Sequence, residues 1–472
     1  MSLVNPTARS RGRADPPRAD TTARDIRAAA DSLLVFRGVF ADEVGAAYLN
    51  LLRAIADGSS DAPAAYARVF SLLARLAVES KPIYSGGIAD PWQRHLVDRL
   101  LTDDNPLARR AGRELDSALA DAAKRDLRIL QAAYALAGDR LAETLDHTAG
   151  SFGPLWSWAG IGSTNGDASG DASGDAGGDA GDSANGLAGR LAAAAVWGDL
   201  LPEILEHYAR FGSGEFARFR AFRWVVGADG RGELKGVISP DPITLDDLIG
   251  YEAERELLLR NAAHFIAGRP ANNVLVYGDR GTGKSSTVKA LLNAASDWPA
   301  PPTLRIVEVG KAHLDDFPEI LARLRGRPER FVLFVDDLSF DEHETKYKEL
   351  KAILEGGLEA RPENVVLYAT SNRRHLVQET FAERGTAGEE VHARDGLQEK
   401  LSLADRFGIT ATFPAPDQER YLAIVEALVG RRGLAIESAE LRRRALQWAA
   451  WHNGRSGRCA RQFVDYLEGE KA

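Results

Sequence analysis

Eight residues in the second half of the chain, Gly278-Asp279-Arg280-Gly281-Thr282-Gly283-Lys284-Ser285, have the types and spacing of a backbone cradle for phosphate. They follow the apolar run Asn273 to Tyr277, as they should if a buried strand turns there into a helix starting near Lys284. Glycines let the main-chain amides wrap phosphate oxygens, and the positive end of the helix points at the same charge. In such a loop the lysine, Lys284, reaches the β and γ phosphates, and the hydroxyl, Ser285, ligates Mg²⁺. The expected phosphate-binding set runs from Gly278 through Ser285 to Ser286, and the expected ligand is ATP with Mg²⁺. Four fixed positions give on the order of 0.01 to 0.02 chance matches in a chain of average composition. A plain glycine-rich turn is therefore a poor account of the pattern.

A second apolar run, Phe331 to Val335, ends in Asp336 and Asp337. A strand there would deliver Asp336 next to the metal, where it would hold Mg²⁺ through water. Strand alternation would point Asp337 the other way. Work on an attacking water needs a carboxylate within hydrogen-bond reach, and Asp337 is the candidate, although most such enzymes use the longer Glu. A third run, Val365 to Thr370, leads through Ser371 to Asn372, whose amide is placed to reach the γ-phosphate or the water.

With these three elements in order, the stretch from about Leu245 to Ala472 resembles the AAA+ family of P-loop ATPases. Within that family it looks closest to a prokaryotic group of unassigned function, on the strength of NNVLVYGDRGTGKSSTVKALL, LFVDDLSF and EKLSLADRFG. The resemblance implies an ATP site at a subunit boundary in a homo-oligomeric ring. It makes Asn372 the sensor 1 residue and Arg406 the finger that reaches the neighbour's nucleotide. It also makes Arg458, with Arg455 and Arg461 as competitors, the sensor 2 cation on a helical lid. Leu248-Ile249-Gly250-Tyr251 resembles the segment that packs on adenine, with Ile249 and Gly250 at its centre.

These residues need elements to hold them. Alternating apolar runs and helical stretches from Leu245 on, including Leu304 to Val309 and Ile409 to Phe413, predict a parallel sheet covered on both faces. The fold class expected is thus α/β, a P-loop NTPase sheet over residues 245–415 with a helical lid over 416–472, behind a mainly α-helical N-terminal domain. That domain is expected over 28–212, where Leu100, Leu101, Leu107, Leu115, Leu119 and Leu127 recur at helical spacing. The arginine-rich stretch 1–27 has no apolar period and reads as a disordered tail, with a polyanion-binding role as the alternative. The Gly/Ala/Asp/Ser repeat over 162–186 has nothing to bury and reads as a flexible insertion. Its spacing fits no calcium loop.

Phe216 to Val226, a Gly/Asp turn and Glu233 to Ile238 predict a β-hairpin connector within 213–244. Its Arg218, Arg220 and Arg223, interleaved with Phe219, Phe222 and Trp224, would also suit stacking on single-stranded nucleic acid; the plainer reading is a packed strand with solvated arginines.

A net charge of -9 gives no global footprint for nucleic acid, so any such contact would be local. The single cysteine, Cys459, rules out an intramolecular disulfide and a cysteine-based zinc cluster, and fits a reducing compartment. No run of about 18 apolar residues suggests a membrane span, and the expected location is the cytoplasm. Three functions compete: an ATPase that remodels or loads a macromolecular partner through the N-terminal region, a slow nucleotide-gated switch or loader, and a nucleic-acid-processing factor using the arginine-aromatic segment at Phe216 to Val226. A small-molecule kinase would leave the finger and lid residues unexplained.

Overall fold

The structure is a computed structural model of the chain. It describes residues 22–79, 83–84, 87–145, 155–161, 180–294, 304–339, 350, 354, 361–372, 406–452 and 454–471. Packing divides the chain into two units, Met1–Arg218 and Phe219–Ala472.

The first unit is helical: α1 (Ala23–Ala30), α2 (Glu43–Ala56), α3 (Ala62–Glu79), α4 (Pro91–Thr102), α5 (Ser117–Ala135), α6 (Gly138–Leu145), α7 (Ala180–Ala193), α8 (Leu201–Phe211) and a short α9 (Glu215–Arg218). Its core gathers Tyr48, Trp92, Trp158, Trp197 and Tyr208 with the leucines of α4 and α5. Buried acids fix the loops between helices. Asp126 is fully buried, and its Oδ2 accepts the N–H groups of Leu34, Val35 and Phe36 at 2.8, 2.7 and 3.2 Å.

Two expected boundaries move. The tail expected to end at Arg27 gives way to α1 at Ala23, because Thr22 and Asp25 close a capping box and Ile26 is buried; residues 1–21 lie outside the described set. The insertion expected to run to Gly186 overlaps α7, whose Leu187 and Leu191 anchor the helix in the core; residues 162–179 lie outside the described set.

The second unit is built on seven strands: β1 (Ala221–Val226), β2 (Gly232–Gly236), β3 (Val274–Gly278), β4 (Leu304–Glu308), β5 (Arg330–Val335), β6 (Val365–Ser371) and β7 (Ile409–Phe413). Their order is β2-β1-β4-β5-β6-β3-β7, and every pairing except β1 with β2 is parallel. Strands β3 and β5 and most of β6 read as continuous apolar runs because helices cover the sheet. Those helices are α10 (Glu252–Ile266), α11 (Lys284–Ala290) and α12 (Phe317–Leu324). Then α13 (Gln418–Arg431), α14 (Ser438–Trp451) and α15 (Gly457–Lys471) form a lid with its own core of Tyr421, Val425, Ala445, Cys459 and Phe463. The chain thus has the α/β P-loop NTPase sheet with a C-terminal helical lid, behind a mainly α-helical N-terminal unit.

The hairpin is not a separate connector. Residues 216–218 are helical, and β1 pairs in parallel with β4, so the sheet starts at Ala221 and not after Leu245. Phe222 and Trp224 are 1% and 2% exposed, which removes the stacking platform. Trp224 Nε1 donates to Asp316 at 2.9 Å, and Arg223 pairs with Glu308 at 2.9 Å. Among the described residues no helix is long and apolar enough to cross a membrane.

Candidate nucleotide site

The polar residues meet where β3, β5 and β6 end, at the carboxyl edge of the sheet, the edge at which open α/β sheets bind ligands. Register brings them there: Val335 pairs with Ala369, and Tyr277 with Ser371. Asp336 therefore comes level with Thr370, next to the loop that leaves β3.

That loop turns on Gly278, Gly281 and Gly283, with φ of 148°, 76° and 98°. A Cβ on Gly278 would lie 1.9 Å from the Phe413 carbonyl oxygen, so only glycine lets the loop pass β7. Asp279 fastens the loop to the end of β7. Its N–H donates to Phe413 O at 3.1 Å, and its carboxylate accepts the N–H of Ala415 at 2.8 Å.

The residues from Arg280 to Ser286 line a cleft of about 560 Å³, a size usual for small-molecule sites. Gly278 and Asp279, expected in the phosphate-binding set, stand behind it: their carbonyl oxygens accept Lys284 Nζ at 2.8 and 2.6 Å. The ammonium also donates to Asn372 Oδ1 at 3.0 Å. Burial holds Lys284 below the ordinary lysine value, opposed by the charges of Asp279, Asp337 and Asp336.

Ser285 Oγ donates to Asp336 Oδ1 at 2.5 Å. Two hard oxygen donors, one of them a carboxylate, are the kind of protein contribution Mg²⁺ takes when phosphates and water complete its shell. No group of three or more His, Cys, Asp or Glu among the described residues would hold a metal by itself. The donor set therefore fits a metal that arrives with a phosphate ligand.

Alternation would have turned Asp337 away, but β5 ends at Val335 and Asp337 takes a left-handed backbone with φ of 51°. Both carboxylates consequently line the same cleft. Asn372 Nδ2 donates to Asp337 Oδ1, so one amide bridges Lys284 and Asp337. Sequence reasoning passed over Thr370, which is 1% exposed and donates to Asp336 Oδ1 at 2.5 Å. Nothing local marks it, since Ser371 beside it also carries a hydroxyl; the pairing of β5 with β6 is what brings it to Asp336.

The far end of the cleft is apolar, with Leu248, Ile249, Ile424 and Leu428. Gly250 has φ of 83°, and Tyr251 (φ of 59°) stacks on Phe413 with centroids 4.8 Å apart. All three lid arginines are exposed; Arg458 and Arg461 line the cleft, and Arg455 does not. The N–H of Arg458 donates to Gly281 O at 3.1 Å, which ties the start of α15 to the phosphate loop. Arg461 acts on the Asp247 carboxylate, held below its ordinary value first by the Thr244 N–H and then by nearby arginines. Arg406 sits half-buried in the turn before β7 and does not line this cleft; Ala404 and Asp405 lie outside the described residues.

The sheet order, the glycine loop between β3 and α11, the paired carboxylates and the lid define a P-loop ATPase fold of the AAA+ type. The chain belongs to the family described as Protein of unknown function (DUF815), which matches residues 217–471, more than half of its length. No curated protein sequence matches it significantly. Similar solved structures include a mutant of RuvB from Thermotoga maritima, 20% identical over 49% of this chain and 67% of that one, with a TM-score of 0.33. Another is the RuvB Holliday junction branch migration motor of the same organism, 17% identical over 48% and 72%, with a TM-score of 0.30.

Proposed function

We propose that this chain is an ATPase that couples ATP binding and hydrolysis to remodelling or loading of a macromolecular partner held by its helical N-terminal unit. The observation that most supports the reading is the meeting of Lys284, Ser285, Asp336, Asp337 and Asn372 through direct hydrogen bonds at three adjacent strand ends. The triphosphate would lie on the amides from Gly281 to Ser285, and Lys284 would exchange its carbonyl partners for β and γ oxygens. Mg²⁺ would be held by Ser285 and Asp336, and when bound it would neutralise charge on the β and γ phosphates.

Asp337 would accept a proton from a water attacking the γ-phosphorus as the bond to the β–γ bridging oxygen breaks, giving ADP and phosphate. Asn372 would orient that water. Arg458 would sense the γ-phosphate from the lid, and Ile249 and Gly250 would face the base. Arg406 would serve the neighbouring subunit's site in a ring, where such a cation is worth about 10³-fold or more in turnover. Calorimetry with ATP and Mg²⁺ tests the reading: wild type should bind and Lys284→Ala should not. A folded wild type that releases no heat would end it.

A slow switch is the second reading, favoured by the short Asp337 carboxylate on a left-handed backbone and already held by Asn372. In that case Asp337→Asn would keep partner binding in the presence of ATP, and Lys284→Ala would lose it. Equal loss in both would return the argument to hydrolysis.

A further inference from the structure

We infer that Thr370 is a positioning residue that couples the metal-holding carboxylate to the water-activating one; this rests on the ATPase reading above. The Thr370 hydroxyl has one proton to give and lone pairs to receive with. It gives the proton to Asp336 Oδ1 at 2.5 Å and accepts the Asp337 N–H at 2.9 Å. One oxygen atom thus touches both neighbouring acids.

The two contacts do different work. Ser285 Oγ, Thr370 Oγ1 and, at 3.2 Å, the Asp337 N–H all converge on Oδ1 of Asp336. Three donors on one carboxylate oxygen fix the rotation of the group, so Oδ2 keeps a defined direction for a metal or its water. The second contact acts on backbone. A non-glycine residue at φ of 51° is uncommon and needs surrounding bonds to hold it. Thr370 supplies two of those bonds: its Oγ1 takes the N–H of Asp337, and its carbonyl takes the N–H of Leu338 at 2.7 Å. Thr370 therefore sets the turn that brings Asp337 back into the cleft.

The side chain is sealed, at 1% exposure, on a strand whose seven residues are all buried. A hydroxyl there costs burial energy unless both its roles are used. A valine at this position would keep the branched shape and β propensity but could make neither contact, so it isolates the work of the oxygen.

The test is Thr370→Val beside Thr370→Ser, with Mn²⁺ as the spectroscopic stand-in for Mg²⁺ and a non-hydrolysable ATP analogue present. Loss of an outer-shell partner typically weakens metal binding about 10- to 100-fold. T370V should show that loss by electron paramagnetic resonance and a comparable fall in kcat, with analogue affinity in the absence of metal unchanged. T370S, which restores the oxygen without the methyl, should recover both to within about threefold. The inference is overturned if T370V matches wild type in Mn²⁺ affinity and kcat, or if T370S is as impaired as T370V. If T370V does not fold, Thr370→Ala takes its place with the same expected and overturning results. A wild type that binds no ATP analogue would instead sink the parent reading, so the two failures are separate.

Discussion

Both ends of the central sheet carry polar side chains, but they spend them differently. At the amino ends of β5 and β6, Asn364 Nδ2 donates to the carbonyls of Leu324, Arg327 and Glu329 at 2.8, 3.1 and 3.2 Å. Nearby, Asn273 Oδ1 accepts the Leu367 N–H at 3.0 Å and a guanidinium N–H of Arg361. Asn261 Nδ2 donates to Asn272 O at 3.0 Å. These amides mostly serve main chain at turns and strand starts. At the carboxyl ends, Lys284, Ser285, Asp336, Asp337 and Asn372 largely bind one another around a cleft. Buried polarity spent on main chain is architecture; polarity held in exchangeable side-chain pairs beside a cleft is chemistry.

The largest expected effect comes from Lys284→Ala. Affinity for ATP with Mg²⁺ should fall at least about 100-fold by calorimetry, because a buried cation facing phosphate is lost. Thermal stability without nucleotide should change little, since relief of the desolvated charge offsets the loss of its three hydrogen bonds. Asn364→Ala should do the reverse. It removes a buried amide that donates to three carbonyls and should cost about 2 to 3 kcal/mol in urea unfolding, with ATP affinity unchanged. A stability loss from the first or an affinity loss from the second would break the distinction.

Asp103, in the helical unit, extends the comparison to a buried acid with no part in the proposed chemistry. Burial pushes its carboxyl up to about 6 from the ordinary 3.8, against the lowering influence of Asn105 and Arg99. The folded chain therefore holds a proton that the unfolded chain has released. The stability linked to that proton is full below the lower value and is lost as pH rises through the upper one. Asp103→Asn keeps an acceptor for Asn105 and discards the charge. Relative to wild type it should gain about 2 kcal/mol near pH 7 and almost nothing near pH 4, by urea unfolding at each pH. The smallest effect belongs to the hairpin. Arg323 lies over the Trp224 ring at 5.2 Å, and Arg323→Ala should cost about 1 kcal/mol without touching nucleotide affinity.

Much of the site was legible because its residues follow one another along the chain. The glycine loop, Lys284, Ser285, Asp336 and Asn372 each sit at the end of a strand whose apolar run marks it, and all five strands of the expected sheet are present with bounds shifted by a residue or so. What was hidden depended on pairing between distant segments. Thr370 looks like any strand threonine until β6 is set beside β5. The turn of Asp337 defeats strand alternation because its backbone conformation is fixed by that same neighbour. The hairpin was read as a connector because nothing local says that Ala221 to Arg223 will lie along Ile306 to Glu308. Of the three lid arginines, spacing alone could not separate Arg455 from the two that reach the cleft.

The hairpin also decides what the sheet offers at its margin. By folding β2 back against β1, it makes the outermost strand a five-residue segment, Gly-Glu-Leu-Lys-Gly, with Glu233 and Lys235 exposed. Short, charged and bounded by glycines, such a border is a poor template for another chain's strand. Copies crowded together at high local concentration would thus be discouraged from zipping sheet to sheet at that rim, and growth into fibres along it is disfavoured.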